Sequence, residues 1–281
     1  MKHEAQVIAD DAYDEICGTM RDHAGIELER TRRFALGARV QRRVRELGLG
    51  DATQYCAYLR MGPQRVHELD ELLRLASIGE TSFGRYPLQL EFLERAVLPR
   101  VIEANRRERR LRLWSAGCAT GQEAYDLAMI VHRALGVRID DWDVRILATD
   151  INAGALARAE AGWYSRDELR DLHPDDHDRF FAIDGAGSRV RETLGNMVAF
   201  RAHNLRDAMA ARRLGRFDVI CCRNVLCHFG ARAREDAVGV VRDRLEDEGV
   251  LLVGHRDPVD HGERLFEPIG GAPTRAWTPV R

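Results

Sequence analysis

Three short stretches carry residues whose types and spacing suit ligand chemistry. In Leu113-Trp-Ser-Ala-Gly-Cys-Ala-Thr-Gly-Gln-Glu123 an apolar strand pattern runs into Gly117 and Gly121 and then into a helical pattern. Glycines at such a turn let the backbone pass close to a ligand just ahead of a helix N-terminus. The same turn is compatible with a tight strand–helix connection that holds nothing. It contains no G-x-G-x-x-G, which argues against a standard dinucleotide site. The second stretch, Arg145-Ile-Leu-Ala-Thr-Asp150, is a strand pattern that ends on a carboxylate. Asp150 there suits the two ribose hydroxyls of an adenosine group, or an N-cap for the helix that follows. The third, FDVICCRNVLCHF from Phe217 to Phe229, places Arg223, Asn224 and Val225 at the carboxyl end of a continuous apolar strand. Open α/β sheets bind their ligands at such strand ends.

The elements needed to position these residues are legible around them. Strand patterns at Leu111–Ser115, Asp143–Thr149, Val198–Arg201, Asp218–Cys222 and Val250–Gly254 alternate with helical patterns at Glu123–Leu135, Ala153–Ala161 and Arg234–Leu245. That alternation predicts a doubly wound parallel sheet with helices on both faces. Residues 162–197 interrupt it and carry a hairpin-type turn at Asp184–Gly187, which predicts a small insertion with a β element. Residues 1–76 show helical periodicity only, through Ala12, Ile16 and Met20 and again through Phe34, Leu36, Val40, Val44 and Leu47. Further helices are expected over Thr53–Leu59, Val66–Leu75 and Leu88–Asn105. The expected organisation is a helical domain at 1–76, a linker and connecting helix at 77–110, and a ligand-binding domain at 111–281.

Composition excludes several function classes. The 281 residues carry a net charge of −2, so no polybasic character points to nucleic acid. Lys2 is the only lysine among 43 basic residues. Chemistry that needs an internal lysine, such as a Schiff base or a phosphate-loop lysine, is therefore excluded. The six cysteines form no C-x-x-C pair and read as reduced thiols. No apolar run approaches the roughly 18 residues of a membrane span. The acidic start MKHEAQVIADDAYDEI has no apolar export segment. These readings predict a cytoplasmic protein without membrane insertion. His173 and His177 are four apart, yet with no third ligand they read as loop residues and no metal is expected.

The order of the motifs makes a resemblance specific. RLWSAGCATGQEAYDLAM, ILATDINAGALARAEAGWY, FRAHNL and FDVICCRNVLCHF resemble successive signatures of the chemotaxis receptor methyltransferases, the CheR family of protein-glutamate O-methyltransferases. AGIELERTRRFALGARVQRRVRELGLGDATQYCAYL is similar to that family's helical N-terminal domain, and ETSFGRYP to its T-x-F-F-R-E/D linker motif.

The resemblance implies a Rossmann-like S-adenosylmethionine-dependent methyltransferase domain, preceded by a small all-α domain and carrying a small β insertion. It implies S-adenosylmethionine as cofactor, S-adenosylhomocysteine as product, and the cytoplasmic domain of a chemotaxis-type receptor as partner of a monomeric enzyme. By resemblance, Thr81 and Arg85 reach into the cleft near the cofactor. Ala116, Gly117 and Gln122 line its methionine and sulfonium side, and Asp150 holds the ribose. Asn204 and Leu205 flank the adenine; Asn224 and Val225 contact the methionine portion. Arg85 and His228 are the implied catalytic residues, Arg85 because a guanidinium forks onto a carboxylate. His228 stands where the family has a tyrosine; it suits a hydrogen bond there, or simple packing at a helix start. Gln122 stands where the family has a glutamate, which removes an anion from the cofactor's ammonium end. Arg32, Arg33, Arg39, Arg42 and Arg43, on the second helix, are implied to dock acidic receptor helices. The departures leave a second reading open, a weakly active or non-catalytic docking module in a signalling array.

Overall fold

The computed structural model describes residues 8–76, 81–259 and 265–280. Residues 77–80, with which the expected linker begins, lie outside them. Two compact units are present: Met1–Ile78 together with His228–Arg234, and Gly79–Cys227 together with Glu235–Arg281.

The first unit is built from helices α1 (Asp10–Ala24), α2 (Arg33–Glu46), α3 (Ala52–Met61) and α4 (Arg65–Ala76). Asp51 caps α3, its Oδ1 accepting from Gln54 N at 2.8 Å, and Gly25 ends α1 in a left-handed conformation. Ile16, Met20, Val40, Leu59, Leu72 and Leu73 form the buried interior. Phe34, counted in the apolar stripe of the sequence, instead faces outward and is 63% exposed. Arg30 and Arg32 lie in a turn of 3-10 helix ahead of α2. A buried polar cluster holds α2, α3 and α4 together. Glu68 accepts from Arg43 Nε at 3.0 Å and Arg43 Nη2 at 2.8 Å, and from Tyr55 Oη at 2.8 Å. The segment His228–Arg234 joins this unit through Glu27 N to His228 O at 2.8 Å and Gly230 N to Gly25 O at 3.2 Å.

In the second unit the expected connecting helix is α5 (Pro87–Phe92), a π-helical turn at Leu93–Val97, and α6 (Leu98–Ala104). Pro99 lacks the N–H that would bond to Arg95, which suits a widened turn just before it. The chain continues through β1 (Arg110–Ala116), α7 (Gln122–Leu135), β2 (Asp143–Asp150) and α8 (Ala153–Ala161). Next come β3 (Trp163–Ser165), α9 (Pro174–Phe180), β4 (Phe181–Asp184), β5 (Gly187–Val190) and α10 (Glu192–Gly195). It ends through β6 (Val198–Ala202), α11 (Ala208–Ala211), β7 (Phe217–Cys222), α12 (Ala231–Arg244), β8 (Leu245–Val253), β9 (Phe266–Ile269) and β10 (Ala276–Pro279), with α12 starting inside the segment shared with the first unit.

The main sheet runs β6-β2-β1-β7-β8-β10-β9. Its first five strands are parallel, and β10 is antiparallel to both β8 and β9. The sheet is therefore mixed, not wholly parallel. The missed strands β9, at the sheet edge, and β10, beside it, are four residues long, contain Pro268 and Pro279, and show little alternation. Leu111, Leu113, Val219, Cys221, Val250 and Leu252 share one core with α5, α6 and α7. Trp114, Ile220 and Cys222, their neighbours in sequence, are buried too, so the central strands are covered on both faces. The insertion is a three-stranded antiparallel sheet, β3-β5-β4, larger than the short β element expected, with the turn at Gly185 as read.

A candidate cofactor and acceptor site at the ends of the central strands

From β1 the chain steps outward to β2 on one side, and it later returns to place β7 on the other side of β1. The crevice outside the carboxyl ends of β1 and β7 is thus the switch point where open α/β sheets hold ligands. The glycine turn lies there. Gly117 N and Cys118 N both donate to Thr149 O, at 2.7 and 2.9 Å. Gly117 has φ 86°, and a Cβ on it would overlap Val225 Cγ2. Gly121 has φ 94°, and its Cβ would sit 2.8 Å from Ala159 Cβ. Both glycines are required by conformation and by space.

Asp150 ends β2 beneath this turn. Its Oδ2 accepts from Ala119 N and its Oδ1 from Asn152 N, each at 2.8 Å. Burial pushes its carboxyl above the usual range, and the N–H groups of Asn152, Ala119 and Ile151 pull it back. The helix that follows is capped by Asn152, whose Oδ1 accepts from Ala155 N at 3.0 Å. That leaves Asp150 to shape the turn. His203 N donates to Asp150 O at 3.0 Å, and the buried Nε2 of His203 meets no partner among the described residues. Asn204 accepts from Arg206 N at 3.1 Å, and Leu205 beside it is buried.

At the end of β7, Asn224 takes the left-handed conformation at φ 59°. Its Nδ2 donates to Tyr86 Oη at 2.9 Å, while its buried Oδ1 has no partner among the described residues. Asp257 holds this loop in place: its Oδ2 accepts from Asn224 N and from Gly254 N at 2.8 Å, and its Oδ1 from Cys227 N at 2.9 Å. The sequence placed Asp257 at the end of Gly254-His255-Arg256-Asp257, where the family has G-H/S-S-E, and gave it no role in the site.

The linker is fastened to the same place. Phe83 is buried with its ring edge-on to Tyr164 at 4.9 Å and to Phe181 at 5.6 Å. Gly84 N donates to Asp126 Oδ2 at 2.9 Å, and Arg85 O accepts from Arg223 Nη1 at 2.7 Å. Buried Gln89 donates to Val253 O at 3.0 Å and Thr274 O at 2.7 Å. Arg223 itself pairs with Glu123, Nε to Oε2 at 2.6 Å, and Glu123 Oε1 accepts from Ser115 Oγ at 2.6 Å. Burial pushes Asp126 up to about 7, against the pull of Arg223. Thr81 is half-buried at the start of the described linker.

Other expected residues fall as follows. Ala116 is buried at the end of β1. Gln122 is buried, its Oε1 accepting from Thr120 Oγ1 at 2.8 Å. A carboxylate does stand near it, since Gln122 Nε2 lies 3.4 Å from Glu168 Oε1. His228 is half-buried in the helical turn Leu226–His228 and belongs by contacts to the first unit. His173 caps α9 and His177 meets Ser188 Oγ at 3.0 Å. Of the five arginines expected on the second helix, Arg32 lies in the turn ahead of α2, and the five divide by role. Arg33 pairs with Asp10 and donates to Ile8 O, Arg43 is spent on Glu68, and Arg39 donates to Leu75 O at 2.6 Å. Arg42 is exposed and lies 3.7 Å from Glu46, and Arg32 is partly exposed.

The residues present fit S-adenosylmethionine. Asp150 is a strand-end carboxylate of the kind that suits a ribose, Gly117 gives backbone clearance, and the Oδ1 of Asn224, without a partner among the described residues, suits a donor such as an ammonium group. Among the described residues no helix is long and apolar enough to cross a membrane.

The chain matches the family description "CheR methyltransferase, SAM binding domain" over residues 79–274 and "CheR methyltransferase, all-alpha domain" over residues 11–75. It is 32% identical to the chemotaxis protein methyltransferase of Salmonella typhimurium, covering 94% of this chain and 89% of that one. It is 32% identical to chemotaxis protein methyltransferase 1 of Pseudomonas aeruginosa, over 89% of this chain and 90% of that one. With strand-end residues suited to S-adenosylmethionine and two family domains matched in order, the chain belongs to the CheR methyltransferase family, whose cofactor is S-adenosylmethionine.

Proposed function

We propose that the enzyme methylates glutamate side-chain carboxylates on the cytoplasmic domain of a chemotaxis-type receptor. The observation that carries this is the fastened linker: Arg85 O accepts from Arg223, and the Arg85 guanidinium carbon lies 5.3 Å from the ring centroid of Tyr86, whose hydroxyl accepts from Asn224. An anionic acceptor is what a guanidinium at that place recognises. The names of the relatives, chemotaxis protein methyltransferases, agree with it.

The chemistry asks for alignment more than for proton transfer. A glutamate side chain is ionised at neutral pH, its reference pKa being about 4.3, so no general base is needed. S-adenosylmethionine supplies an electrophilic methyl on a sulfonium. Asp150 would hold the ribose, and Gly117, Gln122, Asn224 and Val225 the methionine end. Thr81 and Ala116 would close that end, and Asn204 and Leu205 the adenine end. Arg85 orients the acceptor, and alignment of this kind is a major source of rate. His228 is proposed to give the hydrogen bond that tyrosine gives in the family motif. Arg32, Arg39 and Arg42 are proposed to attract acidic receptor helices.

The test is transfer of labelled methyl to receptor cytoplasmic fragments, with alkaline release of methanol diagnosing a carboxyl methyl ester. Arg85→Ala is expected to lower transfer about tenfold to a thousandfold, on the order of 1.4–4 kcal/mol, with cofactor affinity nearly unchanged. His228→Tyr is expected to keep or raise the rate. Wild-type rate in Arg85→Ala, or label that resists alkali, would sink the reading.

A further inference from the structure

Tyr86 is held with unusual force for a linker residue. It sits in the left-handed region at φ 61°, which costs a side-chain-bearing residue roughly 1–2 kcal/mol. Neighbouring contacts over-determine that conformation. Tyr86 O accepts from Gln89 N at 2.9 Å and Leu90 N at 3.1 Å, opening α5. Arg85 before it is tied down through its carbonyl to Arg223, and Gln89, three residues on, through its buried amide. Strain kept in this way marks a functional position more often than an accident.

The side chain is equally constrained. Its ring meets His255 edge-on at 4.5 Å, and the guanidinium carbons of Arg85 and Arg223 lie 5.3 and 5.6 Å from its centroid. The hydroxyl accepts from Asn224 Nδ2 at 2.9 Å. A phenol that accepts one bond keeps its proton to donate, and among the described residues no acceptor takes it. In this amide orientation Nδ2 donates to Tyr86 Oη, and Oδ1 has no partner among the described residues. With Oδ1 of Asn224 toward the site, it can accept from a cationic amino group; with Nδ2 there, two donors would face each other. Nδ2 is therefore committed to Tyr86, and the Tyr86 proton is directed elsewhere.

We propose that Tyr86 is a catalytic residue that donates its hydroxyl hydrogen bond to the methyl-accepting carboxylate, beside Arg85 and oriented by Asn224. The assignment rests on the carboxylate reading of the acceptor above. A neutral donor suits this reaction. The acceptor loses its negative charge when it becomes an ester, so a purely ionic contact weakens along the reaction, whereas a hydroxyl can stay bonded to the ester carbonyl. One carboxylate oxygen held by Arg85 and Tyr86 leaves the other to take the methyl. Transfer then forms an oxygen–carbon bond as the sulfur–carbon bond breaks, with no net proton movement.

Tyr86→Phe keeps the ring and its contacts and removes only the hydroxyl. Labelled methyl transfer to receptor fragments is expected to fall at least tenfold in kcat/KM. Calorimetric affinity for S-adenosylhomocysteine should stay within about twofold. A second probe replaces Tyr86 with 2,3-difluorotyrosine, whose phenol ionises at lower pH. The alkaline limb of the kcat/KM profile should then move to lower pH, because a phenolate cannot donate and repels a carboxylate. A wild-type rate in Tyr86→Phe, an unmoved profile, or a loss of cofactor affinity matching the loss of rate would overturn the assignment, the last by showing that Tyr86 acts only through Asn224. If the wild-type enzyme itself forms no alkali-labile ester, the acceptor reading fails and the Tyr86 assignment falls with it; a wild-type enzyme that forms the ester with Tyr86→Phe unimpaired removes Tyr86 alone.

Discussion

Arg223 and Glu123 meet through Nε and Oε2 at 2.6 Å, with both side chains buried, and this pair joins the linker to the glycine turn. Arg223 also reaches Arg85 O at 2.7 Å and Gln89 Oε1 at 3.3 Å, and Glu123 holds Ser115 at the end of β1. Removing one partner of a buried pair strands the other charge and costs about 3–5 kcal/mol. Glu123→Ala is therefore expected to lower the unfolding free energy by that amount in a urea titration. A loss below about 1 kcal/mol would show that water rescues Arg223.

Asp150 is expected to matter to the cofactor more than to the fold. Hydrogen bonds to a charged group are worth about 1.5–3 kcal/mol. Asp150→Ala should weaken binding of S-adenosylhomocysteine by roughly that much in calorimetry, and it also releases Ala119 N and Asn152 N. Unchanged affinity with an intact circular dichroism spectrum would remove Asp150 from the site.

Much of this site was legible in the sequence because its parts are local. A glycine turn, a strand-end carboxylate and an apolar strand ending in Arg223-Asn224-Val225 each announce themselves within a dozen residues. Long-range pairings were not legible. Asp257 lies 33 residues from Asn224, and Glu123 lies 100 from Arg223, so no spacing rule connects them. The same holds for α2, where arginine content suggested one docking face. The fold commits Arg43 to the buried Glu68, and periodicity does not distinguish a solvated arginine from one that neutralises a partner on another helix. Strands β9 and β10 escaped because four-residue strands with proline lack the alternation that reveals longer ones.

Asp126 gives a pH dependence of stability with a definite sign. Its carboxyl is pushed up to about 7 by burial, with Glu123 adding to the shift and Arg223, the Gly84 N–H and Arg133 opposing it. The unfolded value is about 3.9. Between these the folded protein keeps a proton that the unfolded chain has lost, so this group's contribution declines as pH rises from about 4 to 7. Asp126→Asn keeps an acceptor for Gly84 N and cannot ionise. It should raise stability at pH 8, on the order of 1–4 kcal/mol, and change it little near pH 4. Urea titrations at the two pH values check this; equal effects at both would mean that Asp126 ionises normally.

The arginines of α2 should separate by role. Arg43→Ala strands the buried Glu68 and is expected to destabilise the helical unit by about 3 kcal/mol or more. Arg42→Glu lies on the exposed face and should leave unfolding within about 0.5 kcal/mol of the wild type. Under the docking proposal it should nevertheless weaken methylation of receptor fragments, and added salt should do the same to the wild type. Full methylation by Arg42→Glu across ionic strengths would leave that face merely solvated.

The last prediction concerns Asp257, which touches no expected ligand yet shapes a residue that does. Its two oxygens receive three backbone N–H groups, from Asn224, Cys227 and Gly254. Asn224 can then remain at φ 59°, a region that an asparagine enters more readily than most residues but still at some cost. Space enforces the arrangement too, since a Cβ on Gly254 would come within 2.6 Å of Asp257 Oδ2 and 2.7 Å of Asn224 N. Asp257→Asn turns one acceptor into a donor facing N–H groups. The loop should relax and carry Asn224 Oδ1 away from the cofactor's amino group. Affinity for S-adenosylhomocysteine is expected to fall about tenfold, or roughly 1.4 kcal/mol, within the worth of a hydrogen bond to a charged group. Acting through Asn224 has a further consequence: Asn224→Ala should cost much less in the Asp257→Asn background than in the wild type. Additive losses in that double-mutant cycle would mean that Asp257 and Asn224 serve the cofactor independently.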